Sequence, residues 1–104
     1  MKQNDSFREF VLDQLKGAGG VVARSMFGGH GLYREGMFFG IIFNGRLYFK
    51  TNASTLASYR ERGMKPFRPN ARQTLKSYYE VPVDVIEESD LLAEWAQAAV
   101  LCCR

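Results

Sequence analysis

The stretch from Arg24 to Lys50, RSMFGGHGLYREGMFFGIIFNGRLYFK, constrains this chain more than any other part of it. It holds two turn signals, Glu35-Gly36 and Asn44-Gly45, each flanked by aromatic and branched residues. Asn-Gly between such runs is the strongest short hairpin signal, because both central residues of a type I′ turn need positive φ. Three antiparallel strands are therefore expected in succession. The residues by themselves lead to a small α+β domain with a binding surface and no visible reaction chemistry.

At 104 residues the chain is expected to form one domain, burying roughly two-thirds of its unfolded surface. With 46% hydrophobic and 24% charged residues, it has the balance of an ordinary globule, and no apolar run approaches the ~20 residues that span a bilayer. The opening MKQNDSFREF turns polar and acidic too soon for a secretory signal, so a cytoplasmic location is expected. Cys102 and Cys103 are adjacent and would point about 100° apart on a helix. They read as structural thiols. With one histidine, His30, and no CxxC pair, neither a metal site nor a cofactor is expected.

Charge is unevenly spread. Eight basic residues, Arg46, Lys50, Arg60, Arg62, Lys65, Arg68, Arg72 and Lys76, face one acid, Glu61, across 46–76. Six acids and no base follow from Glu80 to Glu94. Such asymmetry either steers an acidic partner toward the middle segment or lets the two segments pair within the fold.

Along the chain, Ser6-x-x-Glu9 has the form of a capping box, so a helix is expected to begin there. Phe7, Phe10, Val11 and Leu15 give it one apolar stripe, and Gly17, Gly19 and Gly20 end it. Val21 to Met26 reads as a first strand. The segment 37–43, MFFGIIF, reads as a central strand covered on both faces, or one whose second face is a contact surface. In Arg46 to Lys50, Leu47 and Phe49 share one face and Tyr48 lies with the charged ends on the other, which places this strand nearer water. Its tyrosine and cations are of the types that contact nucleic acid, although no RRM signature is present.

Thr51 or Asn52 can cap a second helix that stops at Gly63. Met64 to Pro69 follows as an extended segment whose prolines exclude a central sheet position. Leu75 to Val81 alternates as a last strand with Leu75, Ser77, Tyr79 and Val81 inward, and Pro82 closes it. A third helix is expected from Ser89, with Leu92, Trp95, Ala96, Ala99 and Cys103 on one side. The order is α-β-β-β-α-β-β-α, a two-layer sandwich of helices on one face of an antiparallel sheet; whether Leu32-Tyr33 forms a separate strand is left to the glycine segment.

That segment, Gly28-Gly29-His30-Gly31, permits positive φ or a close backbone approach. A bulge or tight turn is expected in preference to a phosphate cradle, since no Lys-Ser or Lys-Thr and no helix follow. His30 could serve as a general base, but no nucleophile is placed beside it by sequence, and an exposed turn histidine is expected.

The run Arg24-Ser25-Met26-Phe27-Gly28-Gly29-His30-Gly31-Leu32-Tyr33, with Gly36-Met37-Phe38, Leu47 to Lys50, Gly63 to Phe67, Ser77 to Pro82 and Glu94-Trp95-Ala96, resembles the N-terminal domain of the TfoX/Sxy family of bacterial competence regulators. The resemblance covers nearly the whole chain in order. It implies a two-layer fold similar to secretion chaperones. Longer relatives, which add a helical C-terminal domain, regulate DNA-uptake genes as coactivators with the cyclic-AMP receptor protein. The resemblance brings no catalytic residues; Arg24, Met26, Phe27, Gly28, Gly29, Gly31, Leu32 and Tyr33 are its motif positions.

The leading expectation is a noncatalytic regulatory or adaptor domain that docks on a protein, with the transcription machinery as candidate partner, through its sheet or basic segment. The alternative is direct nucleic-acid binding, DNA included, by the eight basic residues of 46–76. No membrane partner is expected, and homodimerisation through a strand edge or the second sheet face is left open.

Overall fold

A computed structural model describes residues 3–26 and 28–103. Helix α1 (Gln3–Gln14) and a 3-10 turn (Lys16–Ala18) lead into four strands, β1 (Val21–Met26), β2 (Gly29–Arg34), β3 (Met37–Phe43) and β4 (Arg46–Lys50). Helix α2 (Ala53–Glu61), strands β5 (Pro66–Asn70) and β6 (Gln73–Glu80), and helices α3 (Val83–Ile86) and α4 (Ser89–Leu101) complete the chain. The fold is α+β as expected. Leu32 and Tyr33 belong to a strand of their own, so four strands rather than three precede α2, and the short α3 follows Pro82 where only a strand end was read.

All six strands are antiparallel in the order β1-β2-β3-β4-β6-β5. The two turn signals act as read: Glu35 and Gly36 take φ of 52° and 79°, Asn44 and Gly45 take 53° and 71°. Each is a two-residue connection with both central φ values positive, the geometry whose twist matches that of the strands. Helix α1 spans Gln3–Gln14, so Ser6 and Glu9 lie within it and Ser6 is not its cap.

The helices cover one face of the sheet. Their Val11, Tyr59, Leu92, Ala96 and Ala99, with Leu15 just after α1, pack with Leu32, Phe39, Ile42, Leu47, Phe49 and Tyr79 from the strands. Phe10 departs from the expected stripe and stays exposed.

Strict alternation along β3 would set Phe39 and Ile41 on one face. A bulge prevents it. Leu32 pairs with Gly40 and Tyr33 with Phe38, leaving Phe39 as the extra residue. Phe39 and Ile42 consequently face the helices, and Phe38, Ile41 and Phe43 face the other way. Gly40 sits where a Cβ would be 3.2 Å from Leu32 Cδ1, Phe49 Cδ1 and the Tyr48 carbonyl oxygen, so the bulge closes without a side chain.

Strand β4 lies between β3 and β6 and is buried at Leu47, Tyr48 and Phe49, which corrects its expected position near water. Its composition resembled an outer strand only because the covering residue, Phe67, is distant in sequence. Register between β5 and β6 is irregular, and Leu75 packs with Phe67 on the helix-free side while Tyr79 joins the helical core. The expected common face for Leu75 and Tyr79 is therefore broken. Pro66 and Pro69 lie on an edge strand, as their missing N–H groups require.

Candidate functional site: the helix-free face of the sheet

On the side away from the helices, Ile41, Tyr48, Phe67 and Tyr78 form a second buried cluster with Phe38, Phe43 and Leu75 around it. The Phe67 ring lies 4.7 Å from Tyr48 and 5.4 Å from Phe43 between centroids, although β5 is two places from β4 in the sheet. The outer end of the sheet thus curves over this face and seals part of it.

The rest is a row of aromatic rings with cations. The Arg24 guanidinium carbon sits 5.3 Å from the Tyr33 ring centre, Tyr33 stacks on Phe38 at 5.2 Å, and Phe38 meets Tyr78 at 5.4 Å. Lys50 Nζ lies 5.1 Å from the Tyr78 ring centre. Alternation places Arg24 and Tyr33 on this face, and the β3 bulge brings Phe38 round to join them. Gly31 makes the row possible: a Cβ there would meet Met26 Sδ at 2.6 Å and Phe38 at 3.0 Å.

The Tyr78 hydroxyl and the Cys103 thiol both donate to the Phe38 carbonyl oxygen, at 3.2 Å each, anchoring the end of the chain to the row. Burial, then Cys103 and Tyr33, push the Tyr78 phenol up to about 12. Burial also raises the Cys103 thiol, with Lys50 opposing and Cys102 adding. Neither group is thereby activated as a nucleophile, since a raised thiol pKa means less thiolate.

The motif positions divide. Arg24, Met26, Gly31 and Tyr33 belong to the helix-free face, Leu32 is in the helical core, and Gly28 is an exposed turn residue with φ of 83°. Phe27 lies outside the described residues. Gly29 is a close approach, since a Cβ would lie 2.1 Å from the Ile42 carbonyl oxygen. The glycine run is thus a turn at Gly28, in line with the bulge or tight turn expected, followed by the start of β2 at Gly29.

His30 is not an exposed turn residue. Only 8% of it is accessible, beneath α1, and Arg8 Nη1 donates toward its Nε2 at 3.4 Å. Its Nδ1 is buried without a hydrogen-bond partner among the described residues. Ser25 is its cross-strand partner.

The eight basic positions are dispersed. Arg46 is paired with Glu80, and Lys50 sits beside the aromatic row, donating to Ser77 Oγ at 3.2 Å. Arg60 and Arg62 lie at the end of α2 in the helical layer, where Arg62 is 5.2 Å from the Trp95 ring centre. Lys65 precedes β5 and bonds through its carbonyl to the Glu80 N–H. Arg68, Arg72 and Lys76 are exposed on the β5–β6 hairpin, with Arg68 donating to the Ala71 carbonyl. Sequence reasoning missed Phe38 and Tyr78 as site residues; the alternation in β6 contained the signal for Tyr78, whereas that for Phe38 was hidden by the bulge.

A cleft of about 210 Å³ between α2 and α4 is lined by Lys50, Thr55, Ser58, Tyr59, Glu94 and Trp95. A shallow depression of about 450 Å³ beside the row is lined by Phe38, Lys50, Tyr78 and Cys103 among others. Among the described residues no three His, Cys, Asp or Glu side chains are grouped as a metal site, and no helix is long and apolar enough to cross a membrane.

A sequence model described as TfoX N-terminal domain matches residues 13–102, a span that includes the whole aromatic row. No curated protein matches the chain.

Proposed function

This chain belongs to the TfoX N-terminal domain family, and from that premise we propose that it is a noncatalytic regulatory or adaptor domain acting by protein–protein interaction, in the cytoplasm and in transcription regulation. The observation that carries this reading is the helix-free sheet face, whose partly exposed Tyr33 and Phe38 rings are bordered by Arg24 on one side and by the buried Tyr78 with Lys50 on the other. Such aromatic and arginine surfaces supply binding energy at protein interfaces. Phe38 already has Tyr33 and Tyr78 as ring neighbours, so the row offers edges more readily than open faces, which suits a protein better than a stacked base. The test is affinity capture with wild type, Tyr33→Glu in the row, and Arg60→Glu in the helical layer. A partner lost with Tyr33→Glu and kept with Arg60→Glu supports the reading; a partner equally retained by both variants overturns it.

The β5–β6 hairpin favours a second reading. Lys65, Arg68, Arg72 and Lys76 are exposed there, and no acid occurs from Arg62 to Tyr79. A basic two-stranded arm of this kind can track a phosphate backbone. Fluorescence anisotropy with duplex and single-stranded DNA tests it: affinity should fall steeply with salt, and Arg68→Ala with Arg72→Ala should flatten that slope. Absence of binding at low salt overturns it.

A further inference from the structure

The sheet ends in β1 on one side and β5 on the other. Strand β5 carries Pro66 and Pro69 and pairs irregularly, devices that make an edge unfit for further pairing. Strand β1 has none of them. Its six residues pair with β2 in unbroken register, and it contains neither proline nor lysine. Among the described residues, no backbone hydrogen bond reaches β1 from any element other than β2. Part of its N–H and C=O groups therefore point outward from the sheet as an open template.

The side chains along this edge have a definite chemistry. Val22 is 51% exposed, and Arg24 and Ser25 are exposed. From Val21 to Arg34 the chain contains no Asp or Glu, and the arginines Arg24 and Arg34 are its cations. Arg34 donates to the Gly19 carbonyl oxygen at 3.0 Å. Arg24 touches the Tyr33 ring but has no carboxylate partner among the described residues.

We propose that the β1 edge takes an extended acidic segment of a partner protein as a seventh, antiparallel strand, with an apolar side chain beside Val22 and a carboxylate against Arg24. Opposed residues of antiparallel strands share a face, so the segment presents its apolar and acidic side chains two residues apart. Main-chain hydrogen bonds supply affinity and the Val22–Arg24 pair supplies selection. The proposal rests on the docking reading above, since it requires a protein partner, and adds where and how that partner is held. A second copy fits less well. Self-pairings of β1 that keep the two faces matched set Arg24 opposite Gly20, Val22, Met26 or another Arg24, and each leaves the guanidinium without a carboxylate.

The probes are a capped fluorescent hexapeptide with valine and glutamate two residues apart among threonines, and the same peptide with lysine replacing glutamate. Anisotropy should show wild type binding the glutamate peptide at least ten-fold more tightly, and amide exchange should slow at β1. Arg24→Glu should reverse the preference. Equal affinities, a preference unchanged by Arg24→Glu, or unslowed β1 amides in the complex would overturn the proposal, as would a sedimenting dimer whose β1 amides are protected without peptide. Should Arg24→Glu fail to fold, the exchange pattern of wild type with the two peptides decides alone. Partner capture lost with Tyr33→Glu but kept with Arg24→Glu would overturn the edge site while sparing the docking reading.

Discussion

Arg46 Nη1 donates to both carboxylate oxygens of Glu80, at 3.1 and 3.0 Å, and among the described ion pairs this one joins the basic middle segment to the acidic segment that follows it. The other acids of that segment, Asp84, Glu87, Glu88, Asp90 and Glu94, are exposed. Folding therefore leaves most of the electrical asymmetry unneutralised and available to an external partner.

Arg46→Gln should lower stability by no more than about 1 kcal/mol, because the arginine remains largely in solvent and screening limits such pairs. Urea denaturation at low and high salt checks this. The difference between wild type and variant should shrink as salt rises.

Asn52 caps α2 through its side-chain oxygen, which accepts from Ser54 N at 2.9 Å and Thr55 N at 3.1 Å, while Thr55 Oγ1 accepts from Asn52 N at 3.0 Å. Asn52→Ala should cost about 1 kcal/mol, and Asn52→Asp much less, since aspartate makes the same cap. The urea midpoint should move without a change in slope.

Gly29→Ala should destabilise by roughly 3 kcal/mol, because the new methyl meets main chain at Ile42, which cannot swing aside. Gly31→Ala should cost less. Its nearest neighbour is Met26 Sδ, the far part of a flexible side chain. Paired denaturation curves test the ranking, and equal losses would show that β2 can shift as a unit.

Tyr78 titrates at about 12 in the folded chain against 10.0 for an unperturbed phenol. A raised folded value favours the neutral form, so its contribution is fully present below pH 10 and is lost as pH rises toward 12. Melting temperatures should fall across that window. Burial raises the Tyr48 and Tyr59 phenols as well, so phenolate absorbance should show several late-titrating groups, and Tyr78→Phe should remove one of them while reducing the alkaline loss.

Much of the fold could be read locally. Glu35-Gly36 and Asn44-Gly45 announce their turns because the required φ values belong to those residues, and Ser89 opens α4 where a polar residue precedes an apolar stripe. The site was only half legible. Arg24 and Tyr33 could be placed on one face by counting, but Phe38 could not, and the basic cluster that looks continuous in sequence is divided between α2, the β5–β6 hairpin and the sheet.

By itself, then, the sequence determined where the two hairpins turn and where β1, β3, β4 and α4 lie, because those choices depend on dihedral preferences and periodicities spanning a few residues. Tertiary structure alone decided that Phe39 is the bulged residue, that His30 lies beneath α1 and that Tyr48 is covered by Phe67. Each of these is a contact between residues far apart in sequence, settled by how side chains fill the space between layers, and no local pattern records what will stand on the opposite side of that space.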